Sequence, residues 1–223
     1  MTDGKIFISR FSAWAPGVET SGDWHEWALG KREITLSGKG PELSFAEPMF
    51  RRRLSQISKM TIQVVHDLMP AGNDIKIFFA SFRGELSRQF QINKMLIEEK
   101  TLSPAVFSLS VFNAPAALAT MACGLKGGYT AVYPGKNSFS SALKTAEASL
   151  LCGTAEELIF VYADEKAQDE YSCFFNQILP AFSFALLLSK GSCSNGVPFT
   201  SANENPYDFL KRVIIAGGNC VSL

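Results

Sequence analysis

The run Pro134-Gly135-Lys136-Asn137-Ser138 joins a strand-like segment, Tyr129 to Tyr133, to an amphipathic helical pattern from Ser138 to Leu151. A loop that leads from a strand into a helix sets side chains beside free N–H groups, where nucleophiles and phosphates are held. Gly135-Lys136 suggests a phosphate loop, but that pattern needs Gly six residues before the Lys and Ser or Thr directly after it. Those positions are Thr130 and Asn137, so the pattern fails twice. Anion binding at the helix start remains open, as does a plain helix cap from Asn137 or Ser138.

A nucleophile needs a base within reach. There are two histidines. His25 sits in Asp23-Trp24-His25-Glu26-Trp27, which reads as a surface hairpin or a partner contact. His66 lies on an ordinary helix and reads as structural. No Gly-x-Ser-x-Gly elbow occurs, and no His, Cys and carboxylate cluster has metal-ligand spacing. The five cysteines, Cys123, Cys152, Cys173, Cys193 and Cys220, include no CxxC pair and read as reduced, partly buried thiols. The residues alone assemble no catalytic constellation and imply no metal and no cofactor.

The elements that must position these residues follow from hydrophobic periodicity. Strands are expected at Lys5–Ser9, Ile75–Ala80, Tyr129–Tyr133, Glu157–Ala163 and Phe182–Ser189. Helices are expected at Ser55–Leu68, Leu86–Glu99, Asn113–Gly124, Ser138–Leu151 and Pro206–Ala216. The segment from Ala13 to Pro48 reads as a long loop. This alternation predicts an α/β fold with a largely buried sheet, as one domain over residues 1–223. Hydrophobic residues make up 47% of the chain and charged residues 19%, which supports a sizeable core. A formal net charge of zero argues against general nucleic-acid binding. Arg51-Arg52-Arg53 is either a solvated helix start or a local contact patch. The longest apolar run, Ala181 to Leu188, is far short of the roughly 20 residues a membrane helix needs. The start, Met1 to Lys5, has no signal layout, so a cytoplasmic protein is expected.

The run Ser103-Pro104-Ala105-Val106-Phe107-Ser108-Leu109-Ser110-Val111-Phe112-Asn113-Ala114-Pro115-Ala116-Ala117, followed by Gly124-Leu125-Lys126-Gly127, resembles β-ketoacyl synthases. They carry a similar run, a Gly-Leu-Lys/Arg-Gly-Pro turn, a strand, and a Cys nucleophile at the start of a buried helix. Gly153 to Ile159 is similar to their next strand entry. On that register Lys136 stands at the nucleophile position, and no histidine follows His66 to supply the family's two catalytic imidazoles. A Lys amine that attacked a thioester would end as an inert amide.

The resemblance implies half of a thiolase-like fold, a mixed sheet with helices on both faces. It is strongest to a short N-terminal-like family, chain-length-factor-like, of aryl polyene gene clusters. What it implies is a non-catalytic subunit that pairs with a complete β-ketoacyl synthase, or homodimerises, and meets an acyl carrier protein. Asn113, Ala116, Ala119 and Met121 are the implied dimer-interface residues, and Phe112, Leu118 and Met121 the implied tunnel-gating residues. Two alternatives stand beside it. One is a small acyl-thioester transferase or hydrolase with Ser110 or Ser138 as nucleophile. The other is a homodimeric scaffold.

Overall fold

The apolar runs pair into one six-stranded mixed sheet in the order β3-β2-β4-β5-β1-β6. The strands are β1 (Ile6–Trp14), β2 (Lys76–Ala80), β3 (Tyr129–Val132), β4 (Glu157–Asp164), β5 (Phe182–Lys190) and β6 (Val197–Pro198). The computed structural model describes residues 5–68, 72–135, 139–153, 155–167, 169–174, 179–191, 196–218 and 221. Lys136, Asn137, Ser138, Cys193, Cys220 and the side chain of Cys173 lie outside the described residues. Strand β2 runs parallel to β3 and β4, while β5 is antiparallel to both β4 and β1. The helices are α1 (Ser21–Ala28), α2 (Pro48–Arg51), α3 (Gln56–Leu68), α4 (Leu86–Lys94), α5 (Pro104–Ser108), α6 (Ala114–Cys123), α7 (Phe139–Leu151) and α8 (Pro206–Ile215).

Successive strand residues point to opposite sides of a sheet, and β4 shows the consequence. Leu158, Phe160 and Tyr162 enter one core with α1, α7 and α8. Ile159, Val161 and Ala163 enter the other with α3 and α6. The first core is aromatic. Phe139, the first residue of α7, lies 5.3 Å from Tyr162, 5.5 Å from Phe209 and 6.0 Å from Phe160, all edge to face. Burying such a ring contributes about 1.5–3 kcal/mol, and each edge-to-face pair adds about 0.5–1.5 kcal/mol. That anchor, with Ser141 Oγ donating to the Pro134 carbonyl at 2.5 Å, fixes where α7 begins.

Helices cover both faces of the sheet as expected, but the N-terminal segment departs from the expectation. Strand β1 continues to Trp14, past a register shift between Ile8 and Arg10 that interrupts its alternation. The segment expected as a loop contains α1, closed by a capping box in which Thr20 and Asp23 exchange side-chain-to-backbone hydrogen bonds. His25 therefore sits exposed on a helix and not on a hairpin. The Trp24 indole donates to the Ala13 carbonyl at 3.0 Å, which ties α1 to the end of β1. Farther on, the last turn of α4 widens into a π-helical turn, Met95–Glu99. The Gly127 turn is held by contact: a Cβ there would meet the Ile75 backbone carbon at 2.4 Å, so only glycine lets the chain pass β2 on its way into β3.

Half of a thiolase-like fold would leave a helix to be covered by a second half. A helix enclosed between two sheets is apolar all round, yet α7 exposes Lys144 and Thr145 on its outer side. Exposed large apolar groups are spread over the chain, and Phe107, Val111, Met121 and Tyr129 are those on or beside α5, α6 and β3.

Candidate functional site

The carboxyl ends of parallel strands are where α/β folds place their sites. Here β2 ends into Ser81-Phe82-Arg83-Gly84-Glu85, β3 into Tyr133-Pro134-Gly135, and β4 into Asp164-Glu165-Lys166. Against these ends stand the N-termini of α3 and α4, whose free N–H groups and positive dipole ends favour negative charge.

Asp164, on the aromatic side, is fully engaged. Its Oδ1 accepts from Ser81 Oγ at 2.7 Å, Arg83 N at 2.9 Å and Phe82 N at 3.1 Å. Its Oδ2 accepts from the Tyr162 hydroxyl at 2.6 Å and lies 3.5 Å from Arg83 Nε. Burial and the Asp164 charge push the Tyr162 phenol well above its ordinary range.

On the opposite side Glu85 and Glu165 are both buried. Ser58 Oγ and Ser55 Oγ donate to Glu85 Oε1 at 2.6 and 2.8 Å. Arg88 Nε lies 3.2 Å from Glu85 Oε2, and Arg88 Nη2 also reaches the Arg53 carbonyl. Burial raises the Glu85 carboxyl in spite of these partners. Glu165 Oε1 accepts from Ser87 N at 2.6 Å, while its buried Oε2 has no partner among the described residues. Burial, reinforced by the Glu85 charge and partly opposed by the N–H and hydroxyl of Ser87 and the N–H of Ile57, pushes Glu165 up to about 7. Gly84 makes this turn possible. Its φ is +56°, and a Cβ there would lie 2.7 Å from the Phe112 ring.

Glu165 and Ser87 form part of the wall of a cleft of about 960 Å³. Its apolar wall includes Leu54, Leu109, Leu118 and Met121, and exposed Arg52 and Arg53 also line it. No lining residue is a histidine or a cysteine, and its hydroxyls are those of Ser55, Ser87 and Ser108.

Of the residues singled out in the sequence, Leu118 and Met121 meet in this cleft. Phe112 lies outside it, half-buried between Gly84 and the ring of Phe79, 6.0 Å away. Asn113 Nδ2 donates to the Tyr129 hydroxyl at 2.8 Å and ties α6 to the edge strand β3. Met121 is 72% exposed. Ala116 and Ala119 are fully buried in the core shared with α3, because their small side chains let α3 and α6 approach closely. Of the four implied interface residues, Asn113 is half-buried and Met121 is exposed.

The other candidates are occupied. Ser110 Oγ donates to the Phe107 carbonyl at 2.8 Å. The His66 ring stacks on Phe45 at 3.5 Å. Burial and the Asp67 charge raise the Cys123 thiol to about 12, where it holds its proton at neutral pH and is no nucleophile. Among the described residues, no group of three His, Cys, Asp or Glu could hold a metal ion. No described helix is long and apolar enough to cross a membrane. The sequence reading missed Glu85, Glu165 and Arg88. Glu85 and Glu165 have no common motif, and only the pairing of β2 with β4 brings them together.

A family model described as the N-terminal domain of beta-ketoacyl synthase matches residues 24–208. The fold is similar to a chain in the solved complex of a ketosynthase (ApeO) with its chain length factor (ApeC) from Xenorhabdus doucetiae. That likeness has a TM-score of 0.72 at 25% identity and covers 85% of this chain and 81% of that one. The ishigamide ketosynthase/chain length factor has a TM-score of 0.70 at 13% identity, with 87% of this chain and 64% of that one covered. A type II polyketide synthase acyl-carrier protein in complex with its ketosynthase (AntDE:AntF) gives 0.62 at 12%, with 85% and 64% covered. The last two show the fold alone. No curated protein matches the chain.

Proposed function

The chain belongs to the β-ketoacyl synthase N-terminal domain family, and on that premise we propose that it is a non-catalytic, chain-length-factor-like subunit. It pairs with a complete β-ketoacyl synthase in fatty acid or polyketide biosynthesis of the aryl polyene type. It acts in the cytoplasm as one domain over residues 1–223. The carrying observation is the likeness, at 25% identity, to a chain in a ketosynthase and chain length factor complex.

The chemistry of this chain supports the reading. Claisen condensation needs a thiolate to hold the acyl group and donors to stabilise the developing charge. No histidine follows His66, the Cys123 thiol keeps its proton, and Lys136 replaces the family's nucleophile on the register given above. The surface supports pairing. Phe107, Val111, Met121 and Tyr129 form exposed apolar area beside β3, an edge strand that pairs only with β2 in the sheet. The cleft then serves as part of the acyl path, with Leu118 and Met121 on its wall. Arg52 and Arg53 beside it fit an acidic acyl carrier protein, the class of partner found in the AntDE:AntF complex.

The test has two parts. Co-expressed with its ketosynthase, the chain should co-purify as a one-to-one pair that buries more than about 1,000 Å². Incubated alone with an acyl thioester, it should remain unmodified by intact-mass spectrometry. A stable thioester on one of its cysteines without a partner, or purification always as a lone monomer, would overturn the reading.

A further inference from the structure

Two cavities share one wall. The cleft of about 960 Å³ and a second cavity of about 410 Å³ are both lined by Gly38, Leu54 and Gln56. Gly38 lies in the middle of a strap between α1 and α2 that has no helix or strand of its own. Both ends of the strap are fixed. At one end Thr35 donates to the Pro16 carbonyl through its N–H at 2.9 Å and its hydroxyl at 3.0 Å. At the other, Leu43 is buried in the core with α3, and Arg51 Nη1 donates to the Glu42 carbonyl at 3.0 Å. Among the described residues, the hydrogen bonds that tie residues 36–40 to the rest of the chain come from one side chain. Gln56 Nε2 donates to the Ser37 and Lys39 carbonyls at 2.8 and 2.9 Å. Its Oε1 accepts from Lys166 N at 3.0 Å, so the first residue of α3 joins the strap to the end of β4.

We propose that residues 36–40 form a gate that the Gln56 amide holds shut, and that lifting it joins the two cavities into one longer path. Local opening is easiest where a segment buries little and shares few hydrogen bonds. Leu36 is 59% exposed, and Gly38 and Lys39 are exposed beside it. The anchors at Thr35 and Leu43 keep the strap on the molecule when its middle lifts. The ligand that uses the longer path is an unbranched apolar chain, and this part rests on reading the cleft as an acyl path. The gate itself does not, so the two are tested by separate measurements on the full chain without a partner.

The first measurement is limited trypsin digestion. Cleavage after exposed Lys39 is the readout, and cleavage after Lys144 on α7 reports global unfolding. In Gln56→Glu the side chain still accepts from Lys166 N but no longer donates to the strap, and a carboxylate at the start of α3 suits the helix dipole. Losing two hydrogen bonds should speed cleavage after Lys39 about tenfold and leave Lys144 unchanged. The second measurement is titration calorimetry with octanoate, decanoate, dodecanoate and tetradecanoate. Each methylene that enters an apolar cavity should tighten binding about fourfold until the chain meets the wall. In Gln56→Ala that gain should continue to longer acids than in the unaltered protein. Cleavage after Lys39 that Gln56→Glu leaves unchanged, or raises no more than after Lys144, would overturn the gate. So would a gain that ends at the same acid in both proteins. If none of the acids binds either protein, the acyl-path reading fails and the digestion alone decides the gate.

Discussion

Asp164 and Glu165 are neighbours in the chain, yet the sheet sends them to opposite sides with opposite outcomes. Asp164, on the aromatic side, accepts from Ser81, Phe82, Arg83 and Tyr162. Glu165, on the side of α3 and α4, accepts from Ser87 and keeps one oxygen unmet. Phe139, Phe160 and Phe184 pack tightly beside the first, and a cleft adjoins the second. The contrast separates two uses of a buried carboxylate. One that is fully hydrogen-bonded holds a loop in place. One that is less fully satisfied keeps its proton to higher pH.

The largest expected effect comes from breaking the satisfied side. Asp164→Ala leaves Arg83 buried without its counter-charge and frees the Ser81 and Phe82 donors. Removing one partner of a buried pair costs about 3–5 kcal/mol, read as a lower urea midpoint. A loss below about 1 kcal/mol would show that the aromatic packing, and not Asp164, holds this turn.

Next is Glu165 itself, where the sign of the pH effect is the test. Its carboxyl titrates near 7 in the folded chain, against an ordinary 4.5. The folded state therefore binds the proton more tightly. That contribution is complete below about 4.5 and is lost as pH rises through about 7. Glu165→Gln removes it, so the variant should gain on the unaltered protein by on the order of 3 kcal/mol between about pH 4.5 and 8. Urea unfolding of both proteins at the two pH values checks this, and a difference independent of pH would contradict it. Glu85 and Asp67 are raised in the same direction; the difference between the two proteins removes the share of Asp67, while Glu85, whose charge acts on Glu165, adds its own relief to the gain.

A smaller effect is expected at Gly84, which forms the turn between the two sides. Gly84→Ala places a Cβ at φ +56° and 2.7 Å from the Phe112 ring. The left-handed backbone and the overpacking together should cost about 2 kcal/mol. Phe112→Leu in the same chain should recover part of that loss, because it removes the ring that the new methyl meets.

How much of this was legible in the sequence divides along the same line. Helices α3, α7 and α8 were readable from apolar residues that recur every three or four positions, and strands β2, β4 and β5 from continuous apolar runs buried on both faces. Helix α1 was not, since Ser21, Gly22 and Asp23 mask its apolar face. The Thr20-to-Asp23 spacing of its capping box was the one signal available. Strand β1 was read short because its register shift breaks the alternation. Half of the cleft was readable, since Leu118 and Met121 lie on a helix that the family resemblance marks. The charged half was not, because some eighty residues separate Glu85 from Glu165 and only sheet topology joins them. Ala116 and Ala119, implied as interface residues by the resemblance, pack in the core with α3, because small side chains permit close approach without saying which helix approaches.

The smallest effect on stability, and the sharpest on assembly, is expected at Met121. Met121 is 72% exposed on α6 and no part of either core cluster, so Met121→Glu should shift the urea midpoint by no more than about 0.5 kcal/mol. In the proposed pair with a ketosynthase the same position would become buried, and a lone carboxylate there would be desolvated without a counter-charge. Central interface positions typically carry the large binding losses, so co-purification should fall by at least about tenfold. Ala119→Glu is the control for direction. Ala119 packs against α3 within the chain, so that variant should unfold the chain before pairing is reached. If Met121→Glu is folded and pairs undiminished, the open end of α6 is not the contact, and the edge of β3 near Tyr129 becomes the surface to test.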